Sequence, residues 1–162
     1  MVVGIRTPAI LVSKLIFITV VSGAFVAGNK AGWIYNTFPK MGGLWVPSDL
    51  RDPHFEAAPW RNMLENPTTV QFNHRMMAYL LLAIAAFHVY DTHRSTGDRN
   101  LRALASLFVS LLLVQVFIGI MTLLYAVPLV LALVHQAMAI LLLTVAVLQA
   151  SRMSYRAQGL ST

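Results

Sequence analysis

The chain has 162 residues, 57% of them hydrophobic and 11% charged, with a mean hydropathy of +0.67; a soluble domain carries about 25% charged residues, so lipid is the expected solvent for most of this sequence. It has no cysteine, which excludes disulfides, thiolate metal sites and iron–sulfur clusters and leaves His, Met or carboxylate to hold any metal. The net charge of +6 is spread in ones and twos beside apolar blocks, the pattern of topology signals, and no basic stripe points to nucleic acid as a partner.

Four apolar blocks follow one another: Ile10 to Gly28, Val70 to Val89, Ala103 to Val127 and Pro128 to Leu148. Each is about long enough to cross a hydrocarbon core of about 30 Å at about 1.5 Å per residue. Backbone groups in lipid must be satisfied within the segment, so each block predicts a helix. The expected fold class is all-α: an integral membrane four-helix bundle, residues 1–162 forming a single four-span membrane domain, with a long outer loop at residues 29–69 between the first two spans.

The first block is interrupted by Lys14, which must snorkel to the interface if the helix spans. A signal peptide is the competing reading, with Arg6 and Lys14 as the basic start and Ser22-Gly23-Ala24 as the cleavage site. The small residues Ser22, Gly23, Ala24, Ala27 and Gly28 also suit close helix packing. The outer loop carries Trp33, Tyr35, Phe38, Trp45 and Trp60 and is expected to fold over the bundle mouth. The second connection, around Thr92 to Asn100, is short and polar. The third is the turn Ala126-Val127-Pro128, with Pro128 placed as a first helical residue.

Four spans put the N-terminus, the second connection and the C-terminus on one side, with Arg6, Lys14, Arg94, Arg99, Arg102, Arg152 and Arg156. On the other side Lys30, Lys40, Arg51 and Arg61 are balanced by Asp49, Asp52, Glu56 and Glu65. The positive-inside rule therefore predicts both termini in the cytoplasm or the mitochondrial matrix.

Of the five histidines, His74 and His135 fall inside spans two and four, near the same membrane face. These spans run in the same direction, so similar counts from their starts mean similar depth, about 5–10 Å below the outer surface. Two neutral imidazoles at one depth can supply both axial positions of a haem iron. The plainer alternative is that each bonds a neighbouring carbonyl or hydroxyl. Arg75, next to His74, suits either a haem propionate or a snorkelling anchor. His88 lies fourteen residues after His74 and so returns to nearly the same face. A second haem there would need a partner at Gln149, not a usual ligand, so His88 is expected at the inner interface near His93. His54 lies in the outer loop with no partner evident. The matched His positions on spans two and four hint at repeated helix pairs. No Asp or Glu falls inside a span, which argues against proton-relay or ion-coupled transport. Met76, Met77, Met121 and Met138 read as packing.

Three stretches carry a resemblance. They are Ser22-Gly23-Ala24-Phe25-Val26-Ala27-Gly28 running on to Tyr35-Asn36-Thr37-Phe38-Pro39-Lys40-Met41; Glu65-Asn66-Pro67-Thr68-Thr69-Val70-Gln71-Phe72-Asn73-His74-Arg75; and Gly119-Ile120-Met121-Thr122-Leu123-Leu124 with Val127-Pro128 and Leu133-Val134-His135-Gln136. Together they resemble haem A synthase, which oxidises the C8 methyl of haem O to a formyl group for cytochrome c oxidase assembly. Family members have two similar four-helix bundles, and the likeness is to the second, C-terminal one.

The resemblance implies a haem b whose iron is ligated by His74 and His135, with Arg75 beside it, and no catalytic residue in this chain. Where the family's first bundle has a Glu three residues before its first His, this chain has Gln71, which cannot serve as a carboxylate base. Haem O is then the substrate of the full-length family. The implied partners are membrane lipid, haem, the missing N-terminal bundle or a homologous subunit, haem O synthase and cytochrome oxidase subunits. The implied location is the mitochondrial inner membrane or, alternatively, a bacterial inner membrane; no mitochondrial transit peptide is recognisable. A non-enzymatic bis-His cytochrome b and a haem-carrying assembly factor stay open beside the oxidoreductase reading.

Overall fold

The computed structural model describes the backbone of residues 2–157 and the side chains of residues 8–154. The side chains of Arg6 and Arg156, counted in the charge balance above, lie outside the described residues. Five α-helices are present: α1 (Val2–Gly28), α2 (Pro59–Glu65), α3 (Pro67–Ser95), α4 (Arg99–Leu124) and α5 (Leu129–Ala157). Between α1 and α2 the chain makes three single-turn 3-10 helices, at Ala31–Trp33, Ser48–Leu50 and Pro53–Phe55.

The long helices overrun the apolar blocks because their start signals are polar. Asn66 caps α3, its side chain accepting from the N–H groups of Thr68 and Thr69 at 3.0 and 3.4 Å, with Pro67 at the first helical position. Asp98 caps α4 in the same way, accepting from Asn100 and Leu101 at 2.8 and 3.3 Å. Pro128 stands one residue before α5 rather than inside it, and its carbonyl accepts the N–H of Ala132 at 3.0 Å. The turn before it is tight. Ala126 and Val127 have φ of 56° and 60°, a region costly for a β-branched residue. Val127 N–H donates to Thr122 O at 2.8 Å, and its side chain seats on Gly32, where an added Cβ would come within 2.8 Å of a Val127 methyl.

Among the described residues three helical segments are long and apolar enough to cross a membrane: Pro8–Gly28, Arg99–Leu124 and Leu129–Ser154. The remaining long helix, α3, has 29 residues but carries Gln71, Asn73, His74 and Arg75 toward one end and His88, Asp91, His93 and Arg94 toward the other. Helix α1 packs against α3 and α5, and α4 packs against the same two, so α3 and α5 face each other diagonally.

The core is a set of inward stripes at helical spacing. Val12, Leu15 and Ile16 of α1 meet Leu81 and Ala85 of α3, Phe108 and Leu112 of α4, and Leu142 and Ala146 of α5. A smaller cluster of Ala9, Leu101 and Met153 lies at the end nearer the termini. Fully buried apolar side chains stop at Ile16 in α1, Leu112 in α4 and Leu142 in α5 on the way toward the long loop. Toward the loop the buried apolar residues are fewer: Val70 of α3, with Ala31 and Met41 of the connection.

Asn66 is 5% exposed and also donates to Asp49 O and Asn62 Oδ1, at 3.2 and 3.0 Å. Asn66→Ala is expected to cost about 1–2 kcal/mol of stability through the lost cap, read as a lowered thermal midpoint by circular dichroism in detergent.

Candidate functional site

His74 and His135 both lie on inward stripes. On α3 the stripe runs His74, Leu81, Ala85, His88, Thr92, and on α5 it runs His135, Met138, Leu142, Ala146, Gln149, Met153, in steps of three, four or seven. His88 and Gln149 meet across the diagonal: the Gln149 amide nitrogen lies 2.8 Å from His88 Nε2, with the two residues 0% and 2% exposed. His74 and His135 each precede this contact by fourteen residues on parallel-running helices. At about 1.5 Å per residue the two rings are therefore level with each other, about 21 Å from the His88–Gln149 pair.

Each ring is seated against a glycine of a neighbouring helix. A Cβ on Gly23 of α1 would stand 3.2 Å from His74 Cε1, and one on Gly119 of α4 would stand 2.7 Å from His135 Cε1. The backbone carbonyls of Thr19 and Gln115, one turn before the respective glycine, are the polar neighbours of the two rings. Neither Nδ1 reaches full hydrogen-bond geometry, and both are buried. The Gln115 side chain instead donates to His135 O at 3.1 Å, tying α4 to α5 at the same level.

His88 Nδ1 is buried without a partner as well, so what sets His74 and His135 apart is their partial accessibility. Here they sit in the half where the apolar core has thinned, and both rings keep partial accessibility although they face inward. Among the described residues no three His, Cys, Asp or Glu side chains gather into one metal site. Two imidazoles alone suit a metal that arrives with its own equatorial ligands, as haem iron does. The residues present fit that group.

Arg75 is 8% exposed and does not snorkel. Its guanidinium donates to Thr37 O and Tyr35 O, both at 2.9 Å, and Gln71, one turn earlier, donates to Tyr35 O at 3.2 Å. Arg75 Nε and Gln71 Oε1 are left without partners. The segment Tyr35–Thr37 is thus clasped onto the α3 turn that carries His74. A second clasp holds the same segment from outside: Asp49 accepts from Tyr35 Oη at 2.8 Å and from Thr68 Oγ1 at 2.7 Å.

The other histidines have other roles. His88 was expected at an interface near His93, but it is fully buried, its Nε2 taking the Gln149 amide, while His93 is exposed and lies 2.9 Å from Ser106 Oγ. Hydropathy could not reveal a partner 61 residues away. His54, without an evident partner in the sequence, donates its backbone N–H to Asp52 Oδ1 and has Nδ1 2.9 Å from the same oxygen. Lys14 is exposed beside Phe17, Ile18, Leu143 and Val147 in a groove on the outer surface, away from the histidine pair. Gly23 and Gly119 were visible in the sequence only as small residues; their contact with imidazole needed coordinates.

The family model of the COX15-CtaA cytochrome oxidase assembly protein matches residues 2–147. Among similar proteins, a heme A synthase of Rhodopseudomonas palustris strain TIE-1 is 44% identical over 146 residues, covering 90% of this chain and 39% of the relative. One of Bradyrhizobium diazoefficiens is 44% identical over 152 residues, covering 94% and 42%. One of Bradyrhizobium sp. strain ORS 278 is 46% identical over 140 residues, covering 86% and 38%. The chain spans about two fifths of the length of these curated relatives. No solved structure matches it.

The outer clasp has a pH window. Burial pushes the Asp49 carboxyl up, but the hydroxyls of Thr68 and Tyr35 outweigh this and hold it below its ordinary 3.8. The Tyr35 phenol is raised above its ordinary 10.0, first by its hydrogen bond to Asp49, then by burial and by the charge of Asp49. A depressed acid stabilises the fold above its unfolded value and loses that contribution as pH falls through the folded one; a raised phenol loses its contribution as pH climbs past its own. Hydrogen-exchange protection of residues 35–50 should therefore fall on acidification below about pH 4, and Asp49→Asn should remove that acid dependence.

Proposed function

The chain belongs to the COX15-CtaA family of cytochrome oxidase assembly proteins, and on that premise we propose that it is the haem-b-binding half of a haem A synthase, a membrane-embedded four-helix bundle in which His74 and His135 would hold one haem iron. The observation that carries this reading is the level pair of inward imidazoles, each backed by a glycine and each partly accessible. A haem held this way supplies one-electron transfer with no open coordination position.

The rest is the work of the chain. His74 on α3 and His135 on α5 bind from diagonal helices, so one group bridges the two elements that otherwise barely touch. The segment Tyr35–Thr37 is clasped by Gln71 and Arg75 to the α3 turn that carries His74. Arg75 has no carboxylate partner among the described residues, since both its bonds go to carbonyls. Its charge makes it the proposed neighbour of a haem propionate. Gln71 holds no charge and takes no proton. Oxidation of the C8 methyl of haem O is accordingly assigned to a first bundle, encoded elsewhere in the same protein or on a homologous subunit. This chain passes electrons to or from it. Haem O synthase and cytochrome oxidase subunits are further proposed partners.

Helix α3 is proposed as the fourth span despite its polar residues. Gln71, Arg75, His88 and Thr92 are buried, while Tyr79, Leu80, Phe87 and Tyr90 are exposed, so the surface offered to lipid is mainly apolar. The bacterial relatives favour a bacterial inner membrane over the mitochondrial one. The charge balance favours both termini on the cytoplasmic side.

A di-haem cytochrome b is disfavoured by the second pair. A metal between two nitrogens needs them about 4 Å apart at about 2.0 Å per bond, whereas His88 Nε2 and the Gln149 amide are 2.8 Å apart and bonded. The mono-haem cytochrome and haem-carrier readings draw on the same histidine pair and gain no observation of their own.

In the purified chain, His74→Ala and His135→Ala should each abolish the low-spin haem spectrum; a spectrum surviving in either variant refutes the ligand assignment. His88→Ala should keep one haem per chain while losing about 1–3 kcal/mol of stability from the stranded Gln149 amide. Loss of haem in that variant would revive the di-haem model.

A further inference from the structure

The glycines opposite the histidines have a more specific role than permitting close helix packing. In both places the three atoms nearest an added Cβ belong to the imidazole alone: Cε1, Nδ1 and Nε2 of His74 at 3.2, 3.8 and 3.9 Å from Gly23, and the same atoms of His135 at 2.7, 3.3 and 3.3 Å from Gly119. The two rings thus present the same Cε1 edge to a bare stretch of neighbouring helix. In both places the polar neighbour is the carbonyl one turn earlier, Thr19 O or Gln115 O. The arrangement occurs twice, on α1 with α3 and on α4 with α5, from unlike local sequences.

Resting on the haem-ligand reading above, we infer that Gly23 and Gly119 are positioning residues that set the rotation of the two axial imidazoles about their iron-facing axes. A ring seated on bare backbone has its plane fixed by van der Waals contact with that backbone. Outer partners of this kind orient a ligating imidazole and tune the metal. The two seats are not equal. At 2.7 Å no real Cβ is tolerated, so His135 must move if Gly119 gains one; at 3.2 Å His74 need yield only by a few tenths of an ångström. Helix propensity works against the trivial explanation, because Ala is a better helix former than Gly.

The test uses the full chain, purified with its haem, and compares Gly119→Ala, Gly23→Ala and Gly28→Ala. An added Cβ on Gly28 meets nothing within 4 Å. Gly119→Ala should lower haem retention by about 10–100-fold, the usual cost of disturbing an outer partner, with helix content unchanged by circular dichroism. Gly23→Ala should keep its haem but show a displaced low-spin electron paramagnetic resonance g-value and a shifted midpoint potential, since both follow the axial ring planes. Gly28→Ala should match the parent protein in every reading. If Gly119→Ala fails to fold, the Gly23→Ala spectrum decides alone. Unchanged spectra and potential in Gly23→Ala overturn the inference, as does unchanged haem retention in a folded Gly119→Ala. Haem retained in His74→Ala would instead defeat the ligand reading on which the inference rests, which keeps the two failures apart.

Discussion

On the proposal that α3 crosses lipid, the polar residues along its span have one place to go, and that is inward. Lipid gives a backbone or side-chain polar group no partner, so the stripe from Gln71 through Arg75 and His88 to Thr92 faces α1, α4 and α5. The rest of the architecture follows from disposing of this stripe. At the end nearer the termini, His88 Nε2 takes the Gln149 amide across the diagonal, and its Nδ1 has no partner. At the end nearer the loop, Arg75 and Gln71 are satisfied only in part, by carbonyls that the loop brings to them. Between these two solutions sits His74, for which the protein supplies a seat but no full partner.

That asymmetry separates a structural pair from a candidate functional pair built on the same helices. His88 with Gln149, and His74 with His135, occupy equivalent positions fourteen residues apart. One pair is joined by a bond of 2.8 Å and fully buried; the other has no side-chain bond between its members and keeps two rings partly accessible, although all three imidazoles leave Nδ1 without a full partner. The closed pair also sets the spacing of the diagonal at one end.

Much of this was legible in the sequence, and what was missed was missed for physical reasons. Long apolar blocks gave the α1, α4 and α5 segments, because hydropathy measures the exchange of water for lipid. Their ends were misjudged where capping residues such as Asn66 and Asp98 extend a helix into polar sequence. The depth match of His74 and His135 could be counted from span starts, since helical rise is constant. The fate of Arg75 could not: its acceptors, Thr37 O and Tyr35 O, are backbone atoms and leave no trace in residue identity. The role of Gln149 was hidden by being judged only as a would-be metal ligand, when an amide is a good partner for a neutral imidazole.

The loop between α1 and α2 shows how a region rich in aromatics can be organised by its few polar residues instead. Trp33, Trp45 and Trp60 are all more than half exposed, and so contribute little to holding the loop down. The holding is done by Asp49, Asn62, Asn66, Thr68 and Thr69, whose side chains bond one another or the carbonyls of Asp49 and Leu50 around the start of α3. Because α3 also carries His74, any strain on the loop is delivered first to the turn bearing that ring. The aromatic side chains are left free to meet the lipid interface, where Trp and Tyr are favoured. The polar hub can therefore hold the loop to the start of α3 without depending on how the membrane surface contacts those rings.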